Sequence, residues 1–432
     1  MRELRRDGAA GSDHLRVVFY SHDTVGLGHI RRNVALAAAL VRHAEHAPGT
    51  GGIDVLLITG NPEATGLPLP PHTDVVTLPT VAKDAGGGYR SRTLSSPLED
   101  VINIRSALIE ATVTAFDPDL MVIDKVPLGV GGELLPTLCR LRAGRRTRVV
   151  LGLREVLDDP VRTVAEWEAA RSTQVITDYY DAVWVYSDPL VFDPVIEYGL
   201  PPVVAGKISY TGYLGTGRRQ GLSVRGEGGP EPPAGPYALC TVGGGQDGAE
   251  LAAAFAAAPL PPGWLGVVIC GPFMPEKERG RLRRSTAARP ELIVHDFVRD
   301  ADAFLSRAEA VVAMAGYNTA CEVLASGRPA LLVPRCRPRA EQLIRAKRLA
   351  ELGAVDTLGD QPPTPDRIGR WLAQAAASRG GPPAAGRRTH RPADLSSPAR
   401  RSAIDIDGLA RIPALAEQLV RAGREQVVHH AA

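Results

Sequence analysis

The chain has 432 residues, 44% of them hydrophobic, and its 50 basic residues are nearly balanced by 48 acidic ones, for a formal net charge of +2. Because a domain holds roughly 100–200 residues, this length predicts two domains rather than one core. The near balance of charge excludes the strongly basic surface of a nucleic-acid binder, so no nucleic-acid partner is expected.

The cysteines number five and form no CxxC pair, which argues against a disulfide framework or a zinc site. Residues 1–14 are polar and lack the apolar region of a signal peptide. No run of residues approaches the ~20 apolar positions of a membrane helix. The sequence therefore predicts a soluble, cytoplasmic protein, and a peripheral membrane contact stays open without a feature that supports it.

Short, nearly continuous apolar runs in the first half predict strands buried on both faces, as in a parallel sheet. Helix-length segments, such as Arg31–His43 and Val101–Ala115, lie between most of them. This alternation is typical of βαβ units. The predicted strands are Leu15–Tyr20, Asp54–Ile58, Leu120–Ile123, Arg148–Leu153 and Ala182–Tyr186.

The same alternation returns in the second half, with helices predicted at Asp247–Ala258, Thr319–Ser326 and Arg339–Leu352. We therefore predict an α/β fold with two Rossmann-like, doubly wound domains in series. The predicted strands of this half are Tyr237–Val242, Leu265–Cys270, Leu292–Val294, Ala310–Met314 and Ala330–Val333.

Two stretches rich in glycine, proline and arginine, Gly215–Gly235 and Ser378–Ser402, divide the chain. The second has the composition of a disordered segment, with arginines that form a solvated surface. The sequence after it, Ile412–Arg424, predicts a helix that packs back onto the body. The predicted divisions are an N-terminal domain at 1–212, a linker at 213–235, a C-terminal domain at 236–377, a disordered insertion at 378–402, and a C-terminal helix and tail at 403–432.

Ligands bind outside the carboxyl ends of strands in open parallel sheets, so glycine loops at those ends are candidates for binding sites. The first loop holds Gly26 and Gly28 and follows the first strand. His29 then falls at the start of a helix that continues through Arg31 and Arg32. A helix N-terminus disfavours imidazolium, so a neutral His29 would suit a general base. A histidine that only caps its own helix is the equal alternative.

The second loop is Gly243-Gly244-Gly245-Gln246-Asp247. Asp247 is the predicted N-cap of the next helix. Free N–H groups and the helix dipole would make this loop a phosphate cradle. The alternative is a tight strand-to-helix turn, and the triple glycine favours the cradle.

The third loop, Ala315-Gly316-Tyr317-Asn318-Thr319, follows the strand Ala310–Met314. Thr319 and Glu322 have the spacing of a capping box, in which Glu322 only caps its helix. The functional alternative places Glu322 against a ribose diol and Gly316–Thr319 against phosphates. The spacing alone leaves the two alternatives open.

Three further residues are candidates because of their position. Asp124 lies at the carboxyl end of a strand and is the better-placed candidate for chemistry, with a surface ion pair with Lys125 as the alternative. Glu341 and Gln342 open a helix, where an ordinary charged first turn is the alternative. The DxD strings at 300–302 and 405–407 do not lie midway through the first domain, so we interpret them as surface carboxylates and expect no metal.

Taken together, these segments resemble the MurG-like branch of the GT-B glycosyltransferases. The resemblance covers most of the chain and is strongest at Phe19–Asn33, which reads FYSHDTVGLGHIRRN, and at Ala313–Ala354. The second segment has a glycine loop, a helix with a glutamate, a strand that ends in proline, and a later glutamine. The first loop departs from MurG, which has a longer glycine run, and the middle of the first half shows no lipid-recognition pattern. The resemblance therefore implies a relative of MurG and not MurG itself.

The resemblance implies a role for each candidate residue. His29 and Asp124 would be catalytic, and the acceptor side would include Gly26, Gly28, Arg31 and Arg32. Glu322 would bind the ribose, Glu341 and Gln342 the donor sugar, and Phe297 and Val298 the base. The diphosphate would lie against Gly243, Gly244, Gly245, Gln246, Gly316, Tyr317, Asn318 and Thr319.

The function implied is transfer of a hexose-type sugar, such as N-acetylglucosamine, from a nucleotide sugar to an unknown acceptor. The donor is expected to be a UDP-sugar that acts as a substrate, with no cofactor. The implied reaction is inverting and independent of metal. Two alternatives remain: a nucleotide-sugar 2-epimerase of the same fold, and a nucleotide-sugar-binding protein without catalysis.

Overall fold

The computed structural model describes residues 14–22, 26–46, 51–83, 88–218, 229–298, 300–378 and 404–431. Most of the segment predicted to be disordered, 378–402, lies outside these residues, as do 219–228 of the predicted linker and Asp23–Val25 of the first glycine loop. The structure is α/β with two parallel sheets, as predicted.

The first sheet has seven strands in the order β3-β2-β1-β6-β7-β8-β9, and neighbouring strands are all parallel. β1 is the switch point, since the chain runs outward from it in both directions. A short antiparallel hairpin, β4–β5, lies beside this sheet. The strands are β1 (Leu15–Ser21), β2 (Ile53–Thr59), β3 (Thr73–Thr77), β4 (Val81–Lys83), β5 (Tyr89–Ser91), β6 (Leu120–Asp124), β7 (Arg148–Leu153), β8 (Ala182–Val185) and β9 (Ile208–Tyr210).

The second sheet has six parallel strands in the order β12-β11-β10-β13-β14-β15. β10 is its switch point, between β11 and β13. The central strands β10 and β13 are buried along their whole length, which explains their continuous apolar sequences. The strands are β10 (Tyr237–Thr241), β11 (Leu265–Ile269), β12 (Leu292–His295), β13 (Ala310–Ala313), β14 (Ala330–Leu332) and β15 (Asp356–Thr357).

Helices connect most consecutive strands, as parallel pairing requires. In the first half these are α1 (Gly28–His46), α2 (Leu98–Phe116), α3 (Leu135–Gly144), α4 (Pro160–Ala169), α5 (Ser172–Tyr179), α6 (Pro194–Glu197) and α7 (Pro202–Ala205). In the second half they are α8 (Ala249–Ala257), α9 (Glu276–Thr286), α10 (Ala301–Arg307), α11 (Tyr317–Ser326), α12 (Glu341–Glu351), α13 (Pro365–Ala377) and α14 (Gly408–Ala431).

One hydrophobic core continues between the two halves. It includes Phe19 of β1 and Val311 of β13, and it passes through Tyr186, Tyr213 and Tyr317. Separate cores cover the other face of each sheet. The carboxyl edges of the two sheets are therefore held against each other by shared apolar packing.

The last helix, α14, returns to the first half and packs on α1. The loop before it is fixed by hydrogen bonds from Tyr213 N–H to the Asp405 carbonyl at 2.8 Å and from Asp405 N–H to an Asp188 carboxylate oxygen at 2.8 Å. The helix predicted at Ile412–Arg424 lies within α14. Among the described residues, no helix is both long enough and apolar enough to cross a membrane.

Candidate functional site

His29, Asp124 and Arg32 form one hydrogen-bonded cluster at the carboxyl edge of the first sheet. His29 is the second residue of α1, and Asp124 is the last residue of β6, which lies beside β1. Nδ1 of His29 lies 2.6 Å from Oδ2 of Asp124. Nη2 of Arg32 donates to the two carboxylate oxygens of Asp124 at 2.6 and 2.5 Å. The switch point thus brings together residues that are far apart in sequence.

Asp124 is held as a carboxylate inside this cluster. Its side chain is 1% exposed, and that of Arg32 is 2% exposed. Burial alone raises the pKa of Asp124, but Arg32 and His29 outweigh burial and hold this pKa well below its ordinary value of 3.8. Asp124 is buried and paired with Arg32, so the alternative of a surface ion pair is wrong.

The Asp124 carboxylate also determines the tautomer of His29. A carboxylate only accepts hydrogen bonds, so the short contact at 2.6 Å assigns the proton to Nδ1 of His29, which donates it; Nη2 of Arg32 lies 3.1 Å from the same nitrogen but makes its shorter contacts to the carboxylate. Nε2 is then the nitrogen that accepts a proton. The His29 side chain is 21% exposed, so a substrate can reach it.

The other predicted acceptor-side residues are placed differently from one another. Gly26 has φ +89°, which favours glycine, and its carbonyl accepts a hydrogen bond of 2.8 Å from Asn61. Arg31 is partly exposed and points toward the second half. Arg32 is buried against Asp124, so it orients the histidine and carboxylate rather than presenting its charge at the surface.

The carboxyl edge of the second sheet is built from the other two glycine loops. Gly245 has φ +91°, and a Cβ atom on it would lie 2.3 Å from the Cys270 carbonyl oxygen, so the loop has no room for a side chain there. The Thr319 side chain lies beside Gly243. The two loops follow β10 and β13, which are neighbours. They therefore form one surface at the switch point of this sheet.

The N-terminus of α11 offers free backbone donors at this surface. Gly316 is its N-cap and makes no side-chain capping bond. The first intrahelical bond runs from Ala320 N–H to the Gly316 carbonyl, so the N–H groups of 317–319 have no partner within the helix. Such N–H groups favour an anion.

The capping-box alternative for Thr319 and Glu322 is wrong. The helix begins at Tyr317, because Gly316 has an extended backbone, and Thr319 is already its third residue. Oε1 of Glu322 instead lies 3.5 Å from Nη2 of Arg31 in the first half. Glu322 thus points across the boundary toward the first half.

Arg335 links the second glycine loop to the start of α12. Its guanidinium donates to Asp247 at 2.7 Å and to Oε1 of Glu341 at 2.8 Å. Asp247 is therefore not the predicted N-cap of α8, which begins at Ala249 with Gly248 as its N-cap. The backbone N–H of Arg335 donates to Oε1 of Gln342 at 3.2 Å. This contact fixes the Gln342 amide with its nitrogen directed away from Arg335.

The remaining predicted donor residues lie around this edge. Gln246 is exposed. Phe297 follows β12 and is 53% exposed, whereas Val298 is buried in the core. An exposed aromatic ring at a strand end is available to a flat ligand such as a nucleobase.

Direct contacts join the two carboxyl edges. Nδ2 of Asn318 donates to the Gly28 carbonyl at 2.9 Å. The Tyr317 hydroxyl donates to the Tyr186 carbonyl at 2.6 Å, so its side chain lies inside the boundary between the halves rather than beside the glycine loops. The third glycine loop and the turn at Gly28 and His29 therefore lie directly against each other.

Sequence reasoning missed four charged residues of this boundary. Arg345 of α12 pairs with Glu155 at 2.5 Å, and both are fully buried. Arg218 donates to Oδ1 of Asn318 at 2.6 Å. Arg154 directly follows β7. Asp124 was selected because it is a charged residue at the carboxyl end of a strand. The same criterion applies to Arg154 and would have selected it.

Part of the second half matches a known family. Residues 266–380 match the glycosyltransferase family 28 C-terminal domain. The matched segment includes β11–β15, α9–α13, Glu322 and Gln342.

Two curated relatives share a short stretch with this chain. Both are UDP-N-acetylglucosamine–N-acetylmuramyl-(pentapeptide) pyrophosphoryl-undecaprenol N-acetylglucosamine transferases. The protein from Glaesserella parasuis is 32% identical over 87 residues, which is 20% of this chain. The protein from Corynebacterium efficiens is 33% identical over 89 residues, or 21% of this chain. The match spans 25% of the length of each relative.

Solved structures match along nearly the whole chain. The spinosyn forosaminyltransferase SpnP has a TM-score of 0.60 at 16% identity and covers 94% of this chain and 99% of its own. The glycosyltransferase VinC, solved in complex with dTDP, has a TM-score of 0.58 at 17% identity. The match covers 95% of this chain and 100% of VinC. A Listeria monocytogenes protein described as a UDP-N-acetylglucosamine 2-epimerase has a TM-score of 0.61 at 11% identity. The match covers 96% of this chain and 97% of that protein. At these identities the likeness concerns the fold.

The two sheets and these neighbours define the class as the GT-B fold. Within this class, residues 266–380 are similar to the glycosyltransferase family 28 C-terminal domain, and a short stretch of the chain is similar to the two N-acetylglucosamine transferases.

Proposed function

We propose that this protein is a glycosyltransferase that moves a sugar from a nucleoside-diphosphate sugar to an acceptor hydroxyl. The observation that carries the proposal is the pairing of His29 with Asp124 opposite the glycine loops of the second half. The two edges are in direct contact, since the Asn318 side chain donates a hydrogen bond to the Gly28 carbonyl. A proton acceptor thus faces a surface suited to a diphosphate.

In this proposal His29 is the general base. Nε2 takes the proton of the acceptor hydroxyl as its oxygen attacks the anomeric carbon. The bond from that carbon to the donor phosphate breaks, and the nucleoside diphosphate leaves. Asp124 stabilises the imidazolium that forms, since its carboxylate already accepts from Nδ1. A direct displacement of this kind inverts the anomeric centre.

The second half holds the donor in this proposal. The N–H groups of 317–319 and the loop at Gly243–Gly245 bind the diphosphate, which is a metal-independent way to stabilise its charge. Glu322 accepts hydrogen bonds from the ribose, and Phe297 contacts the base. Glu341 and Gln342 contact the sugar. Oε2 of Glu341 is buried without a hydrogen-bond partner among the described residues, which supports this role because a sugar hydroxyl could donate to it.

The first test is a thermal-shift screen of the full chain against UDP, dTDP, other nucleoside diphosphates and their sugars, with EDTA present. A ligand at ~100 times its Kd adds about 2.7 kcal/mol to the free energy of unfolding, which raises Tm by a few degrees. We expect a selective shift with one base. No shift with any nucleotide in the folded protein would contradict the proposal.

Matched variants connect such a shift to the predicted site. Glu322→Gln should weaken nucleotide binding by about tenfold or more, because a hydrogen bond to a charged group contributes about 1.5–3 kcal/mol. Glu351→Gln, an exposed residue of α12, is the control and should bind as the wild type does. Product analysis then separates the alternatives: a 2-epimerase changes the donor without an acceptor, whereas a binding protein leaves it unchanged with every acceptor.

A further inference from the structure

Arg154 lies at the carboxyl edge of the first sheet, next to the strand that ends in Asp124. It directly follows β7, and β7 pairs with β6 so that Gly152 lies opposite Asp124. Its side chain lies close enough to Arg32 and to Glu341 to interact electrostatically with both. Arg154 therefore lies near the His29–Asp124–Arg32 cluster and near Glu341, which is proposed to contact the donor sugar.

The Arg154 guanidinium has no protein partner in the part of the chain that the structure describes. Its Nε atom is buried without a hydrogen bond, and no ion pair to a carboxylate is formed. The two neighbouring arginines differ in this respect. Arg32 is paired with Asp124, and Arg345 is paired with Glu155.

The nearby carboxylates are already used by other groups. Glu155 accepts from Arg345 and from the Tyr213 hydroxyl. Oε1 of Glu341 accepts from Arg335. Burial and then the charge of Arg345 lower the pKa of Arg154, and the charges of Glu341 and Glu155 offset this only in part. The surroundings of Arg154 therefore do not fully compensate its charge.

A partly buried, uncompensated guanidinium is costly, and an oxyanion compensates it well because the planar fork matches carboxylate and phosphate. We propose that Arg154 binds a substrate oxyanion in the gap between the halves. Two sources offer this chemistry: the diphosphate of the donor, and a carboxylate or phosphate on the acceptor. This inference rests on the proposed function of the gap, whose substrates it makes more specific.

Arg154→Met in the full chain tests the proposal, with Arg142→Met, an exposed arginine of α3, as control. The probes in calorimetric titrations are the nucleoside diphosphate that the wild type selects, its nucleoside, and inorganic phosphate added to the diphosphate complex. If the oxyanion is the donor's, Arg154→Met binds the diphosphate about 10- to 100-fold more weakly and the nucleoside unchanged. If it is the acceptor's, diphosphate binding is unchanged and phosphate binding is lost.

Thermal unfolding without ligand separates binding from a structural role. Removal of an unpaired cation should leave Tm unchanged or higher, whereas a structural arginine would lower it when replaced. Wild-type affinities for both probes in Arg154→Met, or a lowered Tm, would overturn the inference while leaving nucleotide binding intact. If the wild type binds no nucleotide, the proposed function fails instead, and phosphate titrated alone still tests Arg154.

Discussion

The carboxyl edges of the two sheets are built alike but differ in their chemistry. Each lies at a switch point, and each has a glycine loop between a buried strand and a helix. The first edge carries a packed cluster of ionisable side chains, His29, Asp124 and Arg32. The second carries the glycines Gly243–Gly245 and the backbone N–H groups of 317–319, which have no partner within their helix.

This difference suggests a division of labour. Proton transfer needs a side chain that titrates, and the first edge supplies one. A diphosphate needs many short donors at close approach, and backbone N–H groups beside glycine supply them without the entropy of long side chains. Changes to the first edge should therefore alter turnover, and changes to the second should alter affinity.

The largest expected effect is on turnover when the base is removed. His29→Ala should lower the release of nucleoside diphosphate from the donor by about 10²–10⁴-fold, since general-base catalysis contributes that much. Donor Kd should stay the same, because the donor belongs to the second edge. His43→Ala, an exposed residue of the same helix, is the control. Near-normal turnover in His29→Ala would exclude it as the base.

The next effect is on stability at the first edge. Arg32→Met leaves a buried Asp124 carboxylate without its main partner, which should cost about 3–5 kcal/mol of the free energy of unfolding. Urea denaturation at pH 7 measures it. Arg42→Met, on the same helix with one weak contact at 3.4 Å, is the control. If Arg32→Met lowers the free energy of unfolding by less than Arg42→Met does, water must compensate the charge of the Asp124 carboxylate.

The Arg32→Met loss should also depend on pH. Because the folded-state pKa of Asp124 is lowered from 3.8, its ionised form stabilises the protein at pH values above 3.8. That contribution disappears as the pH falls below this value toward the lower folded-state pKa. The gap in stability between wild type and Arg32→Met should therefore be full at pH 7 and shrink in acid.

The sequence was sufficient to predict the α/β fold and the glycine loops, because buried strands and glycine turns are local signals. The pairing of His29 with Asp124 was not predicted, although both residues were selected. They are 95 positions apart, and only the strand order brings them together. Arg32 was assigned to the acceptor surface for the same reason, since its partner is 92 positions away.

The capping errors have a different cause. A capping box at Thr319 and Glu322 is a valid local pattern, but the extended backbone of Gly316 starts the helix earlier. Asp247 fits the composition of an N-cap, yet Arg335 from another strand end takes its carboxylate. The first pattern was overridden by the backbone conformation at Gly316, and the second by a tertiary contact with Arg335.

A smaller effect is expected at the second edge. Gly245→Ala introduces a Cβ atom 2.3 Å from a carbonyl oxygen at a φ of +91°. The strain should cost about 1–3 kcal/mol in stability and weaken nucleoside-diphosphate binding, with turnover at saturating donor little changed. Gly229→Ala, in open space, is the control. Unchanged affinity in Gly245→Ala would mean that this loop does not hold the diphosphate.

The smallest effect tests the contact that joins the two edges. Arg31 and Glu322 are 3.5 Å apart, with the Arg31 side chain 43% exposed, so their ion pair should contribute no more than about 1 kcal/mol. Under the proposed function, Arg31 competes with the ribose for Glu322. Arg31→Ala should therefore tighten nucleotide binding by at most about fivefold, measured by calorimetry, with little change in Tm.

A double variant shows whether that gain passes through Glu322. If it does, Arg31→Ala adds nothing in the Glu322→Gln background, because the competition no longer exists. If Arg31→Ala binds nucleotide more weakly than the wild type, Arg31 itself contacts the donor. The first edge would then share in donor binding, and the division between a catalytic edge and a binding edge would not hold.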